Sequence, residues 1–198
     1  MSEINLLFNN LNFNWSAIEI IAVLFSIIYV ILATKQNIWC WIFSIISTIL
    51  YVYIFFTAKL FAESMLYVFY LFMSAYGYYN WNKNEGQLTV NQLSIKKNLS
   101  FIFIGTVITF FMGFYFSTYT SAEMPIIDSF TTVFSIIATY MVTKKILENW
   151  LYWIVIDLAS IYIYINRDLH LTSLLFLFYT IIAVFGYFNW IMKTKRSA

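Results

Sequence analysis

Long apolar runs constrain the fold of this chain more than any other feature of its sequence. Seven such runs, separated by short polar breaks, cover residues 15–34, 38–56, 61–81, 100–118, 125–142, 150–165 and 170–190. Each is close to the ~20 residues that a membrane-spanning helix needs. A transmembrane β-barrel would instead show ~10-residue segments that alternate apolar and polar residues. The sequence therefore predicts an all-α integral membrane protein with seven transmembrane helices.

The composition supports this class and excludes several others. Hydrophobic residues make up 62% of the chain and charged residues only 10%, which is too little to cover a water-facing surface. The net charge of +2 gives no indication of a nucleic-acid partner. A single cysteine, Cys40, and a single histidine, His170, cannot form a zinc site or a catalytic cluster. We expect no metal, no cofactor and no enzymatic activity.

The basic residues predict the orientation. Seven spans place nine of the eleven Lys and Arg residues on the face that carries the C-terminus. Only Lys59 and Arg167 lie on the N-terminal face. Because Lys and Arg accumulate on the cytoplasmic side, the N-terminus is predicted outside and the C-terminus inside.

An internal repeat organises the chain. The strings GYYNW at 77–81 and GYFNW at 186–190 lie 109 residues apart, and the same offset aligns residues 25–28 with 134–137 and Trp41 with Trp150. We expect a single membrane domain, 1–198, with a first three-helix repeat at 15–81, a linking helix at 100–118 and a second repeat at 124–190. The linking helix restores the direction of the second copy, so the repeats are parallel. Parallel repeats are typical of several transporter folds, although duplication is also a simple route to a seven-helix bundle.

Asp157 is the residue whose position most needs a functional explanation. It lies at the middle of the sixth run, where an aspartate costs roughly 2.5–3.5 kcal/mol on insertion scales. The spacing of Trp150, Trp153 and Asp157 places all three on one helix face. An aromatic surface beside a carboxylate suits a flat cationic ring. The alternative is an interfacial Trp150, a packing role for Trp153 and a hydrogen bond from Asp157 to another helix.

Neighbouring spans supply further candidates for the same site. At the offset of 109, the residue that corresponds to Asp157 is Thr48, so only one repeat carries the acid, which suits a ligand with one charged end. The other candidate lining residues are Glu63, Tyr67, Tyr70 and Tyr179.

The segment from Asp128 to Asp157, followed by Gly186–Trp190, resembles the PnuC family of bacterial vitamin transporters. The most specific element is W-x-x-W-x-x-x-N, which here has Asp157 in place of the asparagine. The resemblance implies a SWEET-like 3+1+3 fold in the bacterial cytoplasmic (inner) membrane. It also implies facilitated diffusion of an unphosphorylated vitamin that a cytoplasmic kinase then traps. A second departure is Tyr67, where the family has a glutamine.

The two departures bear on the substrate. Family members transport nicotinamide riboside, thiamine (the PnuT branch) and, by prediction, riboflavin. The aspartate variant resembles the thiamine branch, and both thiamine and nicotinamide riboside carry the permanent positive charge that a buried carboxylate would favour. We expect thiamine as the substrate, with nicotinamide riboside as the alternative. Ion coupling is not evident, and the sequence leaves a homo-oligomer open.

Overall fold

The computed structural model describes residues 17–83 and 89–197, without the side chains of residues 62, 171 and 194–197. Residues 15 and 16 of the first predicted span and residues 84–88 of the longest predicted loop lie outside the described residues. The described part is all-α. Its seven helices are α1 (Ala17–Thr34), α2 (Cys40–Thr57), α3 (Phe61–Lys83), α4 (Ile95–Tyr119), α5 (Pro125–Thr143), α6 (Asn149–Asn166) and α7 (His170–Ser197). These match the seven predicted runs, with differences at their ends.

Five of these helices are long and apolar enough to cross a membrane, namely α1, α2, α4, α5 and residues 172–193 of α7. The other two, α3 and α6, are of similar length but more polar, because α3 carries several tyrosines and α6 carries Asp157 and two asparagines. Each lies between apolar neighbours, α3 against α2 and α5, and α6 against α5 and α7. The polar residues therefore concentrate on the two helices that also carry most of the predicted site residues.

The start of α4 differs from the prediction for a local reason. The helix begins at Ile95, five residues before the predicted start at 100. Ser94 is the N-cap, and its Oγ accepts a hydrogen bond from the backbone N–H of Lys97. Lys96 and Lys97 consequently form the first turn of the helix. At the other end of the chain, α7 continues to Ser197, beyond the predicted limit at 190.

The helices pack as two groups of three. In the first group α1 packs on α2 and α2 on α3, and in the second α5 packs on α6 and α6 on α7. Helix α4 packs on α5. Two seams join the groups, one between α1 and α7 and the other between α3 and α5.

The corners between helices have the same backbone geometry in both groups. Gln36 (φ 57°) and Lys145 (φ 50°) end α1 and α5, and Lys59 (φ 61°) and Asp168 (φ 55°) end α2 and α6. Members of each pair lie 109 residues apart. A residue in the left-handed region at this position satisfies the last helical carbonyls, as in the Schellman motif. The amides that follow Gln36 and Lys145 donate to Leu32 O and Met141 O at the same distance, 3.0 Å.

Four tryptophans, Trp41, Trp81, Trp150 and Trp190, form the centre of the larger core and are called the tryptophan cluster below. Trp41 meets Trp81 edge to face at 5.2 Å, and Trp150 meets Trp190 in the same way at 5.4 Å. The two pairs join through Trp81 and Trp190 at 6.3 Å. The cluster lies toward the end of the bundle that carries Lys35, Lys83, Lys144 and Lys193, called the basic end below.

Hydrogen bonds from indole N–H groups cross both seams at the level of the tryptophan cluster. Trp190 Nε1 on α7 donates to the carbonyl of Ala33 on α1 at 3.0 Å. Trp81 Nε1 on α3 donates to the carbonyl of Thr143 on α5 at 3.2 Å. Each seam therefore has a hydrogen bond that crosses it at the basic end.

Candidate functional site

Asp157 lies inside the bundle, at the middle of α6, and is 3% exposed. Its carboxylate forms no hydrogen bond with the part of the chain that the structure describes. No Lys or Arg lies in the interior of the described spans, so these spans supply no cation that neutralises it at this depth. The hydroxyl of Tyr179 on α7 lies within electrostatic reach of this carboxylate. A buried carboxylate without a partner is costly unless a cation or a proton joins it.

Aromatic hydroxyls gather around Tyr67, toward the end of the bundle opposite the basic end. Four tyrosines lie within contact or electrostatic reach of Tyr67, and the five residues are called the tyrosine cluster below: Tyr51, Tyr67, Tyr70, Tyr164 and Tyr179. The ring of Tyr67 lies 4.8 Å from that of Tyr51 and 5.4 Å from that of Tyr70. The cluster draws on both helix groups, since Tyr51, Tyr67 and Tyr70 belong to α2 and α3, and Tyr164 and Tyr179 to α6 and α7.

Two tyrosine–serine contacts cross the seams at this level. The hydroxyl of Tyr179 on α7 lies 2.7 Å from Ser26 Oγ on α1. The hydroxyl of Tyr70 on α3 lies within electrostatic reach of Ser135 on α5. Ser135 follows Ser26 by the repeat offset of 109 residues, and Tyr70 precedes Tyr179 by the same offset. The structure thus brings together Tyr67, Tyr70 and Tyr179, three of the predicted lining residues, and places Tyr179 within electrostatic reach of Asp157.

Two of the predicted lining residues, Thr48 and Glu63, have no contact with Asp157 in this structure. Thr48 is buried, but its hydroxyl donates to the carbonyls of Ser44 and Ile45 on its own helix, at 2.8 and 3.0 Å. Glu63 is exposed in the first turn of α3, at the outer edge of the tyrosine cluster, where it lies within electrostatic reach of Tyr164. Neither side chain lies beside Asp157 by any contact that the structure shows.

The two predicted tryptophans occupy different surroundings. Trp150 is 2% exposed and belongs to the tryptophan cluster, two turns of α6 from Asp157. Its ring covers Gly186, where an added Cβ would lie 2.7 Å from the ring atoms. Trp153 is half-buried and lies one turn from Asp157. It packs against the larger core and against a second core that contains Phe134 and Met141. In this structure Trp153 is therefore the tryptophan closer to the carboxylate, while protein contacts cover Trp150.

Ser26, Tyr51 and Tyr164 are residues of this region that the sequence interpretation did not select. Tyr164 follows Asp157 by seven residues, which is two helical turns on the same face, so its spacing was an available signal. Ser26 lies in the repeated string at 25–28, but a serine in an apolar helix gives no sign of the partner it will meet. Tyr51 has no distinguishing pattern among the 16 tyrosines of the chain.

A second set of contacts holds α6 at the basic end. The backbone of Asn91, before α4, pairs with the α5–α6 corner, where Asn91 N–H donates to Lys145 O at 3.0 Å and Leu147 N–H donates to Asn91 O at 2.8 Å. The backbone N–H of Leu93 donates to both carboxylate oxygens of Glu148, at 3.0 and 3.1 Å. The segment before α4 thus fixes the first turn of the helix that carries Asp157.

The lysines of the α5–α6 corner lie over aromatic rings of α3. Lys144 Nζ is 4.9 Å from the ring centre of Tyr76, and a hydrogen bond with the Tyr76 hydroxyl raises the pKa of this lysine. Lys145 Nζ is 4.6 Å from the ring centre of Trp81, and burial together with nearby Lys193 lowers its pKa. These contacts add cation–π attraction to the seam between α3 and α5.

The fold and the buried polar site are those of a multi-pass membrane transporter, with the polar groups between two helix groups. Residues 16–192 match the sequence model of the nicotinamide mononucleotide transporter family. The chain belongs to this family, which confirms the resemblance to PnuC proteins. Because the family is one of transporters, its membership agrees with the expectation that the chain is not an enzyme.

Individual relatives cover most of the chain. The chain is 28% identical over 212 residues to the nicotinamide riboside transporter PnuC of Escherichia coli, which covers 93% of this chain and 89% of that protein. It is 21% identical over 132 residues to the riboflavin/roseoflavin transporter RibM of Streptomyces davaonensis, covering 64% and 62% of the two chains. The crystal structure of the vitamin B3 transporter PnuC superposes with a TM-score of 0.73 at 24% identity, covering 90% and 82% of the two chains. That likeness shows a shared fold.

Proposed function

We propose that this protein carries nicotinamide riboside across the bacterial cytoplasmic membrane by facilitated diffusion. The observation that carries the proposal is the buried, unpartnered carboxylate of Asp157 beside the tyrosine cluster, in a chain similar to nicotinamide riboside transporters along nearly its whole length. Nicotinamide riboside joins a pyridinium cation to a ribose. The pyridinium would neutralise the carboxylate, and aromatic rings would cover its faces.

The relatives favour one of the two substrates considered from the sequence. Thiamine, expected from the aspartate at residue 157, finds no support in the comparisons, and nicotinamide riboside is the better supported. The charge of Asp157 does not distinguish the two, since both ligands are cations. An aspartate in the position of the family's asparagine is therefore proposed to serve a riboside transporter.

The same site disfavours a phosphorylated or a neutral ligand. A phosphate needs hydrogen-bond donors or cations, and the interior of the described spans contains no Lys or Arg. Asp157 would also repel the phosphate of nicotinamide mononucleotide. Riboflavin, which is neutral, would leave the carboxylate without a counter-charge. The unphosphorylated cation fits best.

For the contacts themselves, we propose that Asp157 pairs with the pyridinium and that Trp153 covers one face of the ring. Tyr67, Tyr70 and Tyr179 complete the site. Trp150 would reach the ligand only after its contact with Trp190 opens, so its role is tied to a conformational change. Thr48 and Glu63 have no contact here that supports a direct part in binding.

We propose a parallel 3+1+3 architecture with repeats 15–81 and 124–190 and a linking helix at 100–118. Matched features support it: the corner residues with positive φ, the tryptophan over a glycine in each group, and the paired seam contacts. The basic end is proposed to face the cytoplasm, since Lys and Arg favour that side. Alternate opening of the two seams would then expose the site to either side of the membrane.

Calorimetric titration of the purified protein with nicotinamide riboside, thiamine, riboflavin and nicotinamide mononucleotide in parallel tests the proposal. We expect binding of the riboside, weaker binding of thiamine and no binding of the other two. Binding of thiamine in preference to the riboside would overturn the substrate assignment. Binding of the mononucleotide would overturn the argument from charge.

A further inference from the structure

We infer that Ser26 is a positioning residue of the substrate site: it orients the hydroxyl groups of Tyr51 and Tyr179 so that both accept hydrogen bonds from the sugar of the ligand. This inference rests on the proposed function, because it assigns the sugar end of the riboside. Ser26 lies on α1, a helix that carries none of the residues selected from the sequence for binding.

The argument begins with the hydrogen-bonding capacity of one hydroxyl. A serine hydroxyl has a single proton and two lone pairs. Ser26 Oγ lies 2.8 Å from the carbonyl oxygen of Val23, which can only accept, so the serine proton is used in that bond. The contact of 2.7 Å with Tyr179 then requires the tyrosine to be the donor. The hydroxyl of Tyr51 lies within electrostatic reach of the same serine, and in the proposed arrangement it donates to the second lone pair.

The consequence concerns what the two tyrosines still offer. A phenol that has donated its proton keeps only its oxygen as an acceptor. In this arrangement Tyr51 and Tyr179 offer only acceptors, as does the ionised carboxylate of Asp157, which lies within electrostatic reach of Tyr179. A ligand that fits this arrangement brings hydrogen-bond donors and a positive charge. The hydroxyls of a ribose attached to a pyridinium meet both requirements.

The second seam provides a matched control. Ser135 faces Tyr70 across the seam between α3 and α5, at the repeat offset from Ser26 and Tyr179. At that seam the residue that corresponds to Asp157 is Thr48, which bonds to its own helix. Removing the Ser135 hydroxyl would therefore disturb the Tyr70 contact at the other seam and leave Ser26, Tyr51 and Tyr179 unchanged.

The test compares Ser26→Ala, Ser26→Thr, Tyr51→Phe and Ser135→Ala, each titrated with nicotinamide riboside and each used for uptake in proteoliposomes. We expect Ser26→Ala and Tyr51→Phe to lower the affinity about tenfold, the equivalent of one or two hydrogen bonds. Ser26→Thr, which keeps the hydroxyl, should remain within about threefold of the native protein, a factor below that of one lost hydrogen bond. Ser135→Ala, which leaves Tyr51 and Tyr179 in place, should lower the affinity less than Ser26→Ala does. In uptake, the KM of Ser26→Ala should rise with little change in the maximal rate.

The outcomes separate this inference from the proposed function. If the native protein does not bind the riboside, the proposed function fails. If the native protein binds it and Ser26→Ala binds equally well, the positioning role of Ser26 is wrong. Equal losses in Ser26→Ala and Ser135→Ala would also overturn the inference, because they would indicate a general effect on seam packing. If Ser26→Ala does not fold, the other two variants provide the test. Full affinity in Tyr51→Phe would overturn the inference, and so would a large loss of affinity in Ser26→Thr.

Discussion

The indole ring of Trp41 lies directly on the backbone of Gly77, so closely that a Cβ at residue 77 would come within 2.4 Å of the ring. The same relationship joins Trp150 to Gly186, where the distance is 2.7 Å. A real Cβ does not occupy such positions. The absence of a side chain at these two glycines is thus what allows the tryptophan cluster to form at the basic end.

We predict that Gly77→Ala and Gly186→Ala each destabilise the protein by about 1–3 kcal/mol, the usual cost of overpacking a core. Helix propensity alone would predict the opposite, a gain of about 1 kcal/mol for alanine over glycine. Thermal unfolding in detergent measures the effect, with Ala75→Ser on the exposed face of α3 as the control. An unchanged or higher unfolding midpoint for Gly77→Ala would contradict the packing argument.

Asp157→Asn tests the role of charge at the middle of α6. We predict that this variant binds nicotinamide riboside roughly tenfold to a hundredfold more weakly, because hydrogen bonds and ion pairs to charged groups contribute about 1.5–3 kcal/mol. Titration calorimetry measures the change. Thr180→Val is a suitable control, since the Thr180 hydroxyl donates to Phe176 O within α7. Full affinity in Asp157→Asn would mean that the side chain acts as a neutral hydrogen-bond acceptor.

Glu148 links the start of α6 to the segment before α4. Replacing it with alanine removes both acceptors of the Leu93 N–H, and we predict a loss of about 1–3 kcal/mol of stability with faster hydrogen exchange at Leu93. Glu148→Gln keeps one acceptor. Its stability and its exchange rate at Leu93 should therefore lie between those of the native protein and those of Glu148→Ala. Glu123→Gln, at an exposed position before α5, should have no effect. Equal exchange rates at Leu93 in all variants would show that this contact is not formed in solution.

Facilitated diffusion makes a prediction about energetics. Proteoliposomes that contain only this protein should take up nicotinamide riboside until the inner and outer concentrations are equal. A pH gradient should not drive accumulation, because Asp157 is the only carboxylate at that depth in the part of the chain that the structure describes, and its charge is used by the substrate. Adding a nucleoside kinase and ATP inside the vesicles should increase uptake. Accumulation driven by the pH gradient alone would indicate proton coupling.

Much of the architecture followed from local patterns. A helix in a bilayer satisfies its own backbone hydrogen bonds within one segment, so apolar length is enough to predict the seven helices. The repeat likewise predicted matching positions, such as Trp41 with Trp150. The ends were harder to place. The cap at Ser94 extends α4 through two lysines that hydropathy assigns to a loop.

The candidate site likewise combines features that the sequence predicts with features that depend on how the helices pack. The position of Asp157 at half depth and on the same helix face as Trp153 depends only on the count of residues along α6. The burial of Trp150 against Gly186 and Trp190 depends on how α6 and α7 pack. The partner of Tyr179 is 153 residues away in the chain, on the other side of a seam. Rotation and depth of each helix decide such pairings, and both are set by side-chain packing among all seven helices, which no segment of the sequence contains by itself.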